Sequence, residues 1–181
     1  MTTALIILAN GFEDIEALTI IDILRRAGIQ VTTAGLGGVQ IDSAHNVTIH
    51  ADQVLETMDE TTFDAIVLPG GEPGTTNMDN SSQLKSLLKQ YAEEGKLVAA
   101  ICAAPHILDS VGLLNGKKAT SYPAYKDKML NCNYSEDSVV IDSNIITSRG
   151  PGTAMAFSYA IVDHLKSPEH SQELKTGMLY A

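Results

Sequence analysis

The chain has 181 residues, 44% of them apolar, 19% charged and 5% aromatic, with no Trp. That balance excludes a disordered tail or a collagen-like repeat, and the length fits one domain, 1–181, that buries roughly 70% of its unfolded surface without disulfide or metal staples. Twelve Lys and Arg against 22 Asp and Glu leave a net charge of −10, which repels phosphate backbones and argues against nucleic acid as a partner.

The first apolar run, Ala4–Ala9, is closed by Asn10-Gly11 and reads as a strand buried on both faces. Glu13 to Ala27 reads as a helix, with carboxylates in its first turn, Arg25-Arg26 in its last and Gly28 just beyond, an order that suits the helix dipole and a left-handed cap. Ile29–Thr33 is a second strand. Between Val39 and Met58 the pattern weakens to a small hairpin strand at Val47–His50 and a short helix after it. Phe63–Leu68 is another buried strand, stopped by Pro69-Gly70-Gly71. Leu84, Leu87, Leu88 and Tyr91 mark a helix over Ser81–Glu94, ended by Gly95.

Leu97–Ile101 is a strand running straight into Cys102, and Ala103–Val111 is a short helix that tolerates Pro105 in its first turn. A strand at Lys118–Tyr122, a short helix at Pro123–Leu130 and a polar loop at Asn131–Asp137 follow. Two further strands lie near Ser138–Ile141 and Asn144–Ser148. Gly150-Pro151-Gly152-Thr153 opens a last helix to about Leu165, and residues 167–181 read as a loosely held peripheral tail. No apolar run nears the ~20 residues that span a bilayer. Met1-Thr2-Thr3 carries no basic leader, so no membrane partner and a cytoplasmic location are expected. The two cysteines, Cys102 and Cys132, are then expected as reduced thiols.

Strands alternating with helices predict an α/β fold, a mostly parallel sheet with helices on both faces. Ligands of such sheets sit beyond the carboxyl ends of the strands, where the strand order reverses. If the first strand lies between the second and the Phe63–Leu68 strand, the loops after Ala9, Leu68 and Ile101 meet at one crevice. Those loops carry Glu16, Gly70-Gly71 and Cys102.

Cys102 stands at a tight strand-to-helix elbow among small residues, where amides and the dipole of the next helix would favour a thiolate. The alternative is a small core hydrophobe. Glu16 lies in a helix rich in Ile and Leu; if desolvated it would hold a proton near neutrality and trade it with a thiol. On the wet side it would only complement the dipole. Gly70 and Gly71 either offer amides to an oxyanion or form a turn that needs positive φ. Gly150–Thr153 is either an anion site or a plain helix start. No Walker loop and no Gly-x-Gly-x-x-Gly follows the first strand, so no nucleotide cofactor is expected. The five histidines show no metal-ligand spacing, so no metal is expected, and His106 reads as structural.

With Glu16, Val67-Leu68-Pro69-Gly70-Gly71, Ala99-Ala100-Ile101-Cys102-Ala103, Arg25-Arg26-Ala27-Gly28, Lys126-Asp127-Lys128-Met129 and Thr147-Ser148-Arg149-Gly150-Pro151-Gly152-Thr153 in order, the chain resembles the ThiJ/PfpI superfamily to about Leu165. It is most similar to the branch of the parkinsonism-associated protein deglycase and bacterial YajL. The resemblance implies a flavodoxin-like sandwich that dimerises, a nucleophilic and oxidisable Cys102, Glu16 as its protonated partner and an oxyanion site from the amides of Gly71 and Ala103. It also implies cofactor-free conversion of glyoxal or methylglyoxal to hydroxy acids, or removal of early glycation adducts from proteins; redox-regulated chaperone action is the alternative. Relatives usually carry a His where this chain has Tyr122, and often an anion-binding Arg where it has His45. Tyr122, His45 and Arg26 are therefore auxiliary candidates.

Overall fold

The computed structural model describes residues 1–58 and 63–180. In chain order the elements are β1 (Thr3–Leu8), α1 (Asp14–Arg26), β2 (Gln30–Gly35), β3 (Gln40–Asp42), β4 (Thr48–His50), β5 (Gln53–Val54), β6 (Ala65–Leu68), α2 (Gly74–Asp79) and α3 (Ser82–Glu93). They continue with β7 (Leu97–Ile101), α4 (Pro105–Ser110), β8 (Lys118–Ala119), β9 (Asn133–Tyr134), β10 (Val139–Asp142), β11 (Ile145–Ser148), α5 (Ala154–Leu165) and α6 (Pro168–Gly177). The main sheet runs β10-β11-β7-β6-β1-β2-β5. All neighbouring pairs in it are parallel except β10 with β11, which form a hairpin at one edge.

Strand alternation divides the core in two. Ala4, Ile6 and Leu8 of β1, with Ala65 and Val67 of β6, face Ala17, Ile20 and Leu24 of α1 and Phe157 and Ile161 of α5. Leu5 and Ile7, with Ile66 and Leu68, face Leu84, Leu88 and Tyr91 of α3 and Ile107 and Leu108 of α4. A sheet covered on both faces needs near-continuous apolar strands, which is why β1, β6 and β7 read as unbroken hydrophobic runs rather than alternating ones. The expected α/β sandwich is the observed one.

Two readings of the sequence are corrected. Residues 167–180 are not loosely held (Ala181 lies outside the described residues): α6 spans Pro168–Gly177, Ser167 Oγ caps it by accepting from the His170 amide, and His170 Nε2 sits 3.0 Å from the carbonyl of Ala27. Leu174 and Met178 pack on the core formed with α1 and α5. The polar stretch Asn131–Asp137 contains β9, which pairs in parallel with β8, so Lys118–Ala119 belongs to a separate two-stranded ribbon outside the main sheet. Gly150–Thr153 forms a short 3-10 turn, over Pro151–Thr153, before α5 begins. The short α2, together with β3 and β5, was not legible in the sequence. Among the described residues, no helix is long and apolar enough to cross a membrane.

Candidate active site

β1 lies between β2 and β6, and β7 lies beyond β6, so the carboxyl ends of β1, β6 and β7 are adjacent. Strand order reverses at β1, which opens a crevice there. The three loops predicted to meet do so, delivering the start of α1, Gly70-Gly71 and Cys102 to one place.

Cys102 follows the last residue of β7 with φ +65°, a left-handed backbone that a residue with a Cβ adopts only when its surroundings impose it. They do. Its amide donates to the carbonyl of Ser148 at the end of β11 (3.0 Å), and its carbonyl accepts from the Tyr122 amide (2.7 Å). The buried small side chains of Ala100, Ala103 and Ala104 let the chain turn so sharply. The turn throws the thiol off the strand and into the crevice.

Glu16, in the first turn of α1, is fully buried, while Ile15 and Leu18 on the same helix are exposed. The wet-side alternative for Glu16 is thereby excluded. Its Oε2 accepts the Gly70 amide at 2.7 Å, and its Oε1, also buried, has no protein partner. Burial raises the carboxyl to about 7, against the lowering effects of the Gly70 amide and of Cys102. The Cys102 thiol is pushed up by burial, then by the charge of the neighbouring Glu16 and a bond to its carboxyl, while the nearby amides of Ala103 and Gly71 act to lower it. The expected lowering by the following helix does not prevail, because α4 has six residues and starts only at Pro105. Two acidic groups this close cannot both ionise cheaply, so the pair shares a proton. With the proton on Glu16, the repulsion is gone and the sulfur faces two N–H donors.

Gly70 separates the two groups. A Cβ there would lie 2.6 Å from Cys102 Cβ and 2.9 Å from Glu16 Oε2. Gly71 has φ +94° and packs against the backbone of Gly11, Phe12 and Glu13. Of the two alternatives for this dipeptide, the turn that needs positive φ is the one observed, at Gly71.

The auxiliary candidates divide. Tyr122 touches the site through its backbone, and its half-exposed ring lies over Gly150. His45 is on the rim: its Nδ1 is 2.8 Å from Asp14 Oδ2 and 3.8 Å from Glu13 Oε2, and the bond to Asp14 followed by the charge of Glu13 raises its pKa. These three residues bring ligand-type atoms within 4.8 Å of one another, an arrangement that the ion pair accounts for by itself. Arg26 is a correction. It lies at the other end of α1, ten residues or about 15 Å along the axis from Glu16, in an exposed pair with Asp22 (Nε–Oδ2 2.7 Å). The amide of Gly150 is taken by Thr153 Oγ1 (3.1 Å), as befits a helix start.

Glu72 and Tyr125 were missed. The Tyr125 hydroxyl donates to Glu72 Oε1, and burial, then the Glu72 bond and charge, then the nearby Cys102 raise its pKa. Tyr125 stands three residues after Tyr122 on a 3-10 segment, Pro123–Lys128, and i, i+3 residues of such a turn share a side. That spacing was the available signal, but only once the turn was known to be 3-10.

The DJ-1/PfpI family model matches residues 2–164. Protein dj-1beta of Drosophila melanogaster is 45% identical over 99% of this chain and 97% of its own length. Its crystal structure superimposes with a TM-score of 0.96 at 44% identity, covering 99% of this chain and 98% of that one. The glutathione-independent glyoxalase DJR-1.2 of Caenorhabditis elegans is 37% identical over 95% of this chain and 93% of its length. Oxidized DJ-1 of Toxoplasma gondii gives a TM-score of 0.96 at 35% identity over the whole of both chains. The chain belongs to the DJ-1/PfpI family.

Proposed function

We propose that this DJ-1/PfpI family member converts 2-oxoaldehydes, methylglyoxal and glyoxal, or their early glycation adducts, into hydroxy acids through Cys102, without a cofactor. The observation that carries this reading is the buried, otherwise unpartnered Oε1 of Glu16 beside a thiol held at positive φ, with the Gly71 and Ala103 amides nearby. The glyoxalase named among its relatives supports the substrate class.

The steps balance without an outside oxidant. The proton of the pair resides on Glu16, and the Cys102 thiolate adds to the aldehyde carbon to form a hemithioacetal. The amides of Gly71 and Ala103 hold the developing oxyanion, which takes the proton from Glu16. The carboxylate so freed removes the hydrogen of the former aldehyde carbon, giving an enediolate, and returns it to the adjacent carbon while the hydroxyl proton on the sulfur-bearing carbon passes to the second oxygen. The product at this stage is a thioester of the hydroxy acid. Water then hydrolyses it to lactate or glycolate and regenerates the thiol. The exposed Ile15 and Leu18 on α1 support a second copy of this chain as the cover for that face, so the working unit in this reading is a homodimer.

The test is lactate formation from methylglyoxal by purified wild type beside Cys102→Ala, without glutathione or added metal. Cysteine-dependent lactate is the expected result. Equal turnover by both proteins, or none by a folded wild type, rejects the enzyme reading.

The same cradle favours a second reading, an oxidisable sensor or holdase with little turnover. Peroxide would take the Cys102 thiolate through sulfenate to sulfinate while being reduced to water, and protonated Glu16 with the two amides would hold the sulfinate oxygens. The oxidized Toxoplasma gondii relative is consistent with such a product. Intact mass after peroxide decides this: two oxygen atoms added preferentially at Cys102 are expected, and their absence rejects the sensor.

A further inference from the structure

Beside the crevice lies a second cluster that the chemistry above does not use. Glu72 follows Gly71 directly. Its Oε2 is anchored on the first turn of α2 by the Thr76 hydroxyl (2.8 Å) and, more weakly, the Thr76 amide (3.3 Å), which leaves Oε1 to receive the Tyr125 hydroxyl. The Tyr125 ring has Lys128 Nζ on it, 4.3 Å from the centroid, and packs against the His106 ring at 5.2 Å and 42°. His106 Nδ1 lies 2.9 Å from the carbonyl of Ala103. A carbonyl only accepts, so Nδ1 carries the hydrogen. His106 Nε2 faces Asp79 Oδ2, at the end of α2, at 3.6 Å.

The cluster therefore touches the two residues whose amides face the sulfur, at the end opposite each amide: Gly71 through its neighbour Glu72, and Ala103 through its own carbonyl. These residues come from loops after different strands, and among the described residues the only covalent path between them is α2, α3 and β7. Tyr125 closes the gap, and the segment that carries it is itself pinned to the elbow by the Tyr122 amide on the Cys102 carbonyl.

We propose that Tyr125, Glu72 and His106 are positioning residues, a clasp that holds the Gly71 and Ala103 amides in register on the atom at the Cys102 position. The inference builds on the oxyanion role given to those amides under the proposed function, but it concerns the sulfur whether or not 2-oxoaldehydes are substrates. The clasp works by hydrogen bonding and not by charge, because a carboxylate brought near a thiolate disfavours it.

That opposition supplies the test. The rate of iodoacetamide alkylation at Cys102, followed by mass spectrometry of its peptide, is measured against pH for wild type, Tyr125→Phe, Glu72→Ala and Glu72→Gln, with melting temperatures alongside. Tyr125→Phe keeps the ring on His106 and loses the bond; Glu72→Gln keeps an acceptor and loses the charge. The expected result is that Tyr125→Phe and Glu72→Ala alkylate about tenfold more slowly at a given pH, their profiles displaced upward, whereas Glu72→Gln is rescued to the wild-type rate or above. Superimposable profiles for wild type and Tyr125→Phe overturn the clasp. So does faster alkylation in Glu72→Ala and Glu72→Gln alike, which would leave only the removed charge. Alkylation needs no turnover, so a displaced profile in a protein that makes no lactate upholds the clasp and rejects only the glyoxalase.

Discussion

The two cysteines, both partly buried and both beside a carboxyl group, show how little burial says about reactivity. Burial first, then the charge of a neighbour, pushes each thiol up: Glu16 for Cys102 and Asp109 for Cys132. What surrounds the sulfur differs. Two amides, of Ala103 and Gly71, act to lower the Cys102 thiol, whereas Cys132 has only its own amide and is placed to donate to the Met129 carbonyl at 3.8 Å, which favours the protonated form. The carboxyls differ in the same way. Asp109 accepts from the amides of Leu130 and Asn131 and from the Asn131 side chain, so its oxygens are occupied. Glu16 accepts one amide and keeps Oε1 free. One region traps a proton on sulfur, and in the proposed reading the other moves it.

The largest expected effect removes the free oxygen of that pair. Glu16→Gln is close in shape and still accepts the Gly70 amide, yet cannot exchange a proton; methylglyoxal turnover should fall by about 10²- to 10⁴-fold with circular dichroism unchanged. A rate within a few-fold of wild type would place the proton transfer elsewhere. Gly70→Ala comes next. It drives a Cβ between Cys102 and Glu16, and overpacking of this kind costs about 1–3 kcal/mol, so denaturant unfolding should show that loss together with a displaced Cys102 alkylation profile. An unchanged profile would mean that the pair's spacing is immaterial.

A third effect is the pH dependence of stability. The folded state raises Glu16 from 4.5 to about 7, so it binds the proton more tightly than the unfolded chain does. The stability tied to that proton is complete below pH 4.5 and is lost as pH rises through 7, an amount up to about 3 kcal/mol. Wild type should therefore lose stability over this window relative to Glu16→Gln; parallel curves would contradict a desolvated carboxyl. The smallest effect sharpens the comparison from its other side. Cys132→Ser should leave turnover within about twofold of wild type, since neither its sulfur nor Asp109 reaches the crevice loops.

Much of the site was legible in the sequence because it is written in local terms. Small residues around Cys102 announce an elbow, and a Gly-Gly stop after an apolar run announces a turn with exposed amides. The Ile and Leu flanking Glu16 announce a helix packed on its sheet. The reading of α6 failed because most of its residues are polar: it is held by a serine cap, a histidine on the Ala27 carbonyl and two apolar side chains, none of which makes a periodic stripe. Arg26 was promoted by its motif, but ten helical residues carry it out of reach of the crevice.

By itself the sequence determined the parallel sheet covered on both faces, since runs such as Ala4–Ala9 and Leu97–Ile101 can be satisfied only by burial on two sides. That Glu16, Gly70-Gly71 and Cys102 meet followed from the sequence only under an assumed strand order, and the sheet supplies that order by placing β1 beside β6 and β6 beside β7. Tertiary structure alone decided whether Glu16 faced core or water, a choice of helix rotation that one side chain does not reveal. It decided the protonation balance, since desolvation depends on every atom around the pair. It alone joined Glu72, His106 and Tyr125, which lie on separate segments and become a cluster only when β6 and β7 pair and Pro123–Lys128 folds over them.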